Sequence, residues 1–250
     1  MAGLGFGRFS YTMLLPSTRE GLDLSYTGAG FLGTANLAGY LAGSIMSGAV
    51  MRRLGPRLTS FAGLLVLVVA LAWMGAARGI LDAALARALA GVAGAIVYVQ
   101  ALGLIAAWFS SQKRGLASGI MHSGNGGGLV VTGLGLPLVL AYGHPIGWRA
   151  SWEVLAVATL FIVPFAWAYL RYADDNSSTK AKEATPSISV TNTPAVTEHS
   201  ILYALFGLSY VIYATFFAEI LRDSGLSLTQ IGMVWAAVGA WKWPLGWRAI

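Results

Sequence analysis

Long apolar runs separated by short polar turns dominate the chain. Residues 58–77, 81–109 and 151–170 are almost continuously apolar, and at 1.5 Å per residue each is long enough to cross a hydrocarbon layer of roughly 30 Å. The runs are continuous rather than alternating, which selects membrane-spanning helices over the period-two strands of a transmembrane barrel. The pattern predicts spans over 1–17, 27–50, 58–77, 83–109, 116–142, 151–170 and 201–221, with an eighth beginning near 228. No basic segment precedes the first run and Arg8 interrupts it, so it reads as a span and not as a cleaved leader.

One connection stands apart. RYADDNSSTKAKEATPSISVTNTPAVTEH, 171–199, is rich in Ser and Thr and contains two prolines, the composition of a flexible linker. It divides a six-span bundle, 1–170, from 200–250, where the chain restarts. GLDLSYTG, 21–28, returns as GLSLTQIG, 225–232, shifted by 204 residues. In that register Gly3 and Leu4 pair with Gly207 and Leu208, and Leu24 and Ser25 with Leu228 and Thr229. Ser25 and Thr229 then stand where an N-cap would satisfy the first free amides of the next helix. The organisation implied is two helical halves repeated in parallel, six spans followed by about two of a second half. Further on the register fails: Ala38 pairs with Lys242, and Gly39 and Gly43 with Trp243 and Trp247. An eighth span of about 14 residues before Lys242 is expected, with WKWPLGWRAI foreign to the pattern. On this basis the chain is expected to be a truncated or frame-shifted product that does not transport by itself.

Composition agrees with the pattern. Hydrophobic residues make up 56% of the chain and charged ones 10%, against about 25% charged in an ordinary soluble domain. There is no cysteine, so neither a disulfide framework nor thiolate chemistry is available. The net charge of +6 sits in clusters between the apolar runs, as orienting charges do, and does not call for nucleic acid. With a cytoplasmic N-terminus the cytoplasmic turns hold Arg52, Arg53, Arg57, Lys113, Arg114, Arg171, Lys180 and Lys182. The opposite turns hold only Arg19, Arg78, Arg149 and Arg222, which is the positive-inside bias.

GAVMRRLGPR, between the second and third runs, resembles the loop motif of the major facilitator superfamily (MFS) through Gly48, Arg53, Gly55 and Arg57. It departs from it at Arg52, where that family carries an Asp, and at Pro56. RALAGVAGA from Arg87 resembles the family's fourth-span arginine and glycines, QKRGLASGI its basic entry to span five, and GWRASW its entry to span six. The first span, GFGRFSYTMLLP, is most similar to the bacterial YbfB-like (YbfB/YjiJ) branch. The resemblance implies an all-α integral membrane bundle of the inner membrane that moves a small solute by alternating access. A non-transporting membrane remnant or interaction protein is the alternative.

The polar residues inside the spans are the candidate site. The repeat places Arg8 near the middle of the first span, where a charge costs about 2.5 to 3.5 kcal/mol; it faces a cavity and an anionic or polar solute, or it forms a structural salt bridge or snorkels. Tyr11 and Thr12 follow at helical spacing on the same face. Arg87 either snorkels at the interface or enters the same cavity. Asn36, Gln100, His122 and Asn125 are either interhelical hydrogen bonds or further lining of a polar cavity. Glu219 and His122 are the candidates for proton coupling, although Arg222, one turn on, could simply pair with Glu219. The glycine runs GLGFGR and GNGGG lack the Gly-Lys-Ser/Thr of a phosphate loop. Gly39 with Gly43, Gly115 with Gly119, and Gly124 with Gly128 have instead the spacing of close helix contacts. No Ser/His/Asp array, paired carboxylates or metal-spaced histidines are present, so neither an enzyme, a cofactor nor a metal is expected.

Overall fold

The computed structural model describes residues 2–143, 146–177 and 194–247, and every regular element among them is helical. A π-helical stretch, Ala2–Phe9, runs directly into α1 (Ser10–Gly21). Then follow α2 (Tyr26–Ala76), α3 (Ile80–Trp108), α4 (Ser111–Tyr142), α5 (Gly147–Ser177), α6 (Pro194–Asp223) and α7 (Leu228–Trp247). Most of the predicted linker, 171–199, lies outside the described residues. α7 is helical to Trp247, and its apolar part, Leu228–Trp241, is the 14 residues the pattern gives before Lys242.

α2 is two spans joined by a turn. Its 51 residues would be roughly 75 Å long if straight, more than twice the hydrocarbon thickness. The break is at Gly55, with φ 73° and ψ 167°, a left-handed conformation that glycine adopts without a Cβ clash. Pro56 then starts the second arm, where its missing N–H would have had no helical partner, and Thr59 Oγ1 donates to the Gly55 carbonyl at 2.7 Å.

The turns at the opposite end fix the internal repeat, and they correct its register. After α1, Asp23 is left-handed (φ 50°), with Leu24 N–H donating to Arg19 C=O at 2.9 Å and Asp23 N–H to Glu20 C=O at 3.2 Å. After α6, Gly225 is left-handed (φ 87°), with Leu226 donating to Leu221 at 3.1 Å and Gly225 to Arg222 at 2.9 Å. These are the same helix-ending motif. Ser25 then caps α2 by accepting from Gly28 N–H. Ser227 caps α7 by accepting from Gln230 N–H while Gln230 Oε1 accepts from Ser227 N–H, a reciprocal capping box. The equivalent residues are Asp23 with Gly225 and Ser25 with Ser227, a shift of 202 rather than 204, so DLSYTGAG and not GLDLSYTG is the counterpart of GLSLTQIG. The cap in the second copy is Ser227, not Thr229. Thr12 touches Ala214 and Glu20 touches Arg222, each pair again 202 apart, as expected where two copies of a helix cross on a local two-fold.

Glycines set the closest contacts. A Cβ on Gly39 would lie 2.0 Å from the Ala88 carbonyl oxygen, and one on Gly91 2.1 Å from that of Asn36, so the first arm of α2 meets α3 backbone to backbone. Gly133 and Gly232 do the same for α4 and α7. Gly115, expected to be such a contact, has open space around it. The opposite faces carry large apolar side chains: Ile45, Leu81, Phe165 and Trp241 are 72–75% exposed, the surface a bilayer covers. α2, α3, α4 and α5 each contain a stretch long and apolar enough to span one.

A candidate solute cavity between the first and seventh spans

Arg87, in the second turn of α3, is 2% exposed and held from several sides. Its Nη1 donates to the Gly7 carbonyl at 3.0 Å. Its guanidinium carbon lies 4.3 Å from the Tyr11 ring centre and 5.7 Å from that of Trp152. Its own carbonyl accepts from Asn36 Nδ2 at 2.9 Å. Arg87 Nε is buried without a hydrogen-bond partner. The snorkelling alternative therefore does not hold: this guanidinium is enclosed by packed helices. Trp152, fully buried on α5, completes the cage, donating from Nε1 to Thr18 Oγ1 at 3.3 Å.

Arg8 comes to the same place from the π-helical stretch. It is half-buried, 5.6 Å from the Phe9 ring centre and 5.8 Å from that of Tyr40, and it has no salt bridge among the described residues. Arg8, Tyr11, Thr12, Asn36 and Arg87 line one cavity, and α6 closes it with Ala214 and Thr215. The space open to the centre of a water-sized sphere is about 20 Å³, room for roughly one water. Tyr11 Oη donates to the Ala29 carbonyl at 2.8 Å and Thr12 Oγ1 to that of Ala214 at 2.7 Å.

The other candidates lie elsewhere. Gln100 donates to the Pro56 carbonyl behind the α2 turn, which Arg57 also braces by stacking 3.6 Å from the Trp167 ring centre; Gly48 and the exposed Arg53 lie nearby in sequence on the first arm. His122 is exposed, with Nδ1 and Ser118 O 2.8 Å apart and Tyr98 Oη 3.2 Å from Nε2. With Nδ1 carrying the proton and donating, Nε2 is left to accept from tyrosine. Asn125 is buried on α4 against Gly5. Glu219 does not pair with Arg222 as its spacing suggested. It is 3% exposed and takes Arg19 Nη2 at 3.0 Å and Nε at 3.1 Å on Oε1, while Oε2 is buried without a partner. Arg222 pairs instead with Glu20 at 2.5 Å. Two crossed ion pairs thus tie α1 to α6 at the Gly21 end; only Glu20 with Arg222 joins residues that the 202 shift makes equivalent.

The family model described as "Uncharacterised MFS-type transporter YbfB" matches residues 1–249. The chain belongs to this YbfB-type family of the major facilitator superfamily. It is therefore a multi-pass integral membrane protein. It is 27% identical over 243 residues to a chloramphenicol resistance protein of Streptomyces lividans, covering 95% of this chain and 59% of the relative. It is 29% identical over 164 residues to monocarboxylate transporter 11 of Mus musculus, covering 65% and 36%. It is 22% identical over 243 residues to a hexuronate transporter of Bacillus subtilis (strain 168), covering 91% and 56%. The YbfB-type chain thus spans well under two thirds of these relatives. Among solved structures, a D-xylose-proton symporter superposes with a TM-score of 0.68 at 14% identity, over 96% of this chain and 64% of that one. The xylose transporter XylE from E. coli, in a partially occluded inward-open conformation, gives 0.63 at 15%, over 94% and 68%. These likenesses carry the fold: an all-α bundle of the MFS type.

Trp152 and Thr215 of this YbfB-type chain were not legible as site residues. Trp152 looks like one more apolar residue of a span, and α6 approaches α1 only through tertiary structure. The one signal available was GWRASW, whose second Trp is Trp152.

Proposed function

We propose that the protein is part of a secondary active transporter of a small solute, working by alternating access in a bacterial inner membrane with the N-terminus in the cytoplasm. Residues 1–170 form the first bundle, 171–199 a cytoplasmic linker, and 200–250 the start of the second bundle. The observation that carries this reading is the cavity shared between α1, α2 and α3 on one side and α6 on the other, lined by Arg8 and Arg87. A solute there touches both halves and so can bias their relative position. The lean is towards anions, because both charged residues lining the cavity are basic. The carboxylates in the names of two relatives, monocarboxylate and hexuronate, support that lean. The name of the xylose symporter supports proton coupling, for which Glu219, with its unpartnered Oε2 beside the cavity helix, is the first candidate and His122 the second.

Uptake of radiolabelled solute by purified protein in liposomes tests the proposal. Arg8→Ala should lower uptake of a demonstrated substrate at least about tenfold, the loss of one charge-assisted contact. Unchanged uptake would remove Arg8 from the cavity's function.

A further inference from the structure

We infer that the cavity takes a small monocarboxylate, its head group placed between Arg8 and Arg87; the inference rests on the transport reading of the same cavity. Among the described residues the ion pairs are Arg19 with Glu219 and Arg222 with Glu20, so neither cavity arginine has a carboxylate of its own. Arg87 has already taken what the protein offers: one carbonyl and two aromatic faces. Its Nε still lacks an acceptor although the side chain is almost wholly buried. A buried guanidinium in this condition is destabilising until an anion completes it.

The neutral donors argue for the same class. Tyr11 and Thr12 spend their protons on the carbonyls of Ala29 and Ala214, and Asn36 one of its two amide protons on that of Arg87, which leaves the Thr215 hydroxyl and the second Asn36 proton as neutral donors in the wall. A polyol, each hydroxyl of which both donates and accepts, finds few groups free to read it. An acceptor-only group finds guanidinium N–H unoccupied, and a planar carboxylate matches the guanidinium fork. The charge called for is one. Arg8 is half-buried and rests on Phe9 and Tyr40, whereas Arg87 carries the uncompensated buried charge. The space, about 20 Å³, holds roughly one water, so the head group enters only as the cavity widens, and charge rather than size separates a carboxylate from phosphate. Leu37 and Val211 give the wall an apolar part, which suits a short apolar tail once the cavity widens.

The test is binding to the detergent-purified protein, read by thermal shift and calorimetry with butyrate, benzoate, xylose and inorganic phosphate as probes. Ligand binding to the folded state raises the melting temperature by mass action, so butyrate or benzoate should raise it and xylose and phosphate should not. Arg8→Gln, whose half-buried side chain is the less risky to replace, should weaken carboxylate binding at least about tenfold. Arg87→Lys, which keeps the charge and loses the fork, should weaken it also. No response to either carboxylate, an equal response to phosphate or xylose, or a carboxylate response untouched in both variants would each overturn the inference. The two readings part as follows. Carboxylate binding that depends on Arg8 without liposome uptake sinks the transport reading alone. Arg8-dependent uptake of a solute other than a carboxylate sinks this inference alone.

Discussion

Glu219 and Arg19 show how the surroundings decide what an ion pair contributes. Glu219 is 3% exposed and Arg19 23%, while Arg222 and Glu20 are 37% and 52% exposed. Breaking a fully buried pair costs about 3–5 kcal/mol. With Arg19 partly solvated, Glu219→Gln should destabilise the detergent-solubilised protein by about 1–2 kcal/mol. Arg222→Gln should cost no more than about 1 kcal/mol, because its pair is exposed. Equilibrium denaturation of the two variants side by side checks the ranking; equal losses would mean that burial of Glu219 has no energetic consequence. At this scale Arg8, Tyr11 and Thr12 were legible as a set, because helical spacing alone places them on one face. Arg87 was legible as a candidate but not as a buried one, since enclosure by Tyr11 and Trp152 depends on two other helices, α1 and α5. The Arg19 pairing was not legible, because i to i+3 spacing offered Arg222 and the competing partner lies 200 residues away.

Among the elements, α2 was readable as two spans because GAVMRRLGPR is too polar for the membrane and ends in Gly-Pro-Arg. Gly55→Ala should cost about 1–2 kcal/mol, since φ 73° drives a Cβ into the neighbouring carbonyl. The loss should be local, with little change in the α2–α3 contact. Gly39→Leu should behave differently. Its Cβ would lie 2.0 Å from the Ala88 carbonyl, so the first arm of α2 and α3 must separate along their length, and folding yield and melting temperature should fall much further than for Gly55→Ala. Parallel melting curves test this, and a Gly39→Leu protein as stable as wild type would mean that α2 and α3 tolerate a wider separation. The repeat was half readable. Apolar matching found the two turns, but leucine and glycine are so frequent here that a register two residues off scores as well; only the left-handed residue and the cap distinguish 202 from 204.

Across the whole molecule, the apolar pattern and the family motifs sufficed for the fold class, because they report local physics: span length, loop charge and close glycine packing. How the parts of the chain meet is a relation between distant segments, and there the structure adds most. α1 and α6 meet through Thr12 and Ala214 at the cavity and through the crossed ion pairs at the Gly21 end, and α4 meets α7 through Gly133 and Gly232. Alternating access requires one of these meetings to open while another persists. The ion-pair end is the better candidate to open, because the exposed Glu20–Arg222 charges rehydrate at little cost and parting Arg19 from the buried Glu219 costs only about 1–2 kcal/mol, whereas parting the glycine faces would leave voids in close-packed helices. The expected motion is therefore a rocking about the α4–α7 contact that separates Glu20 from Arg222. A short bifunctional cross-linker between Glu20→Cys and Arg222→Cys should hold the Gly21 end shut. It should abolish transport by a protein shown to be active, while carboxylate binding from the opposite side persists; a reducible linker should allow recovery on adding thiol. Full transport with the linker in place would show that this end need not open, and that the route past Arg8 and Arg87 runs elsewhere.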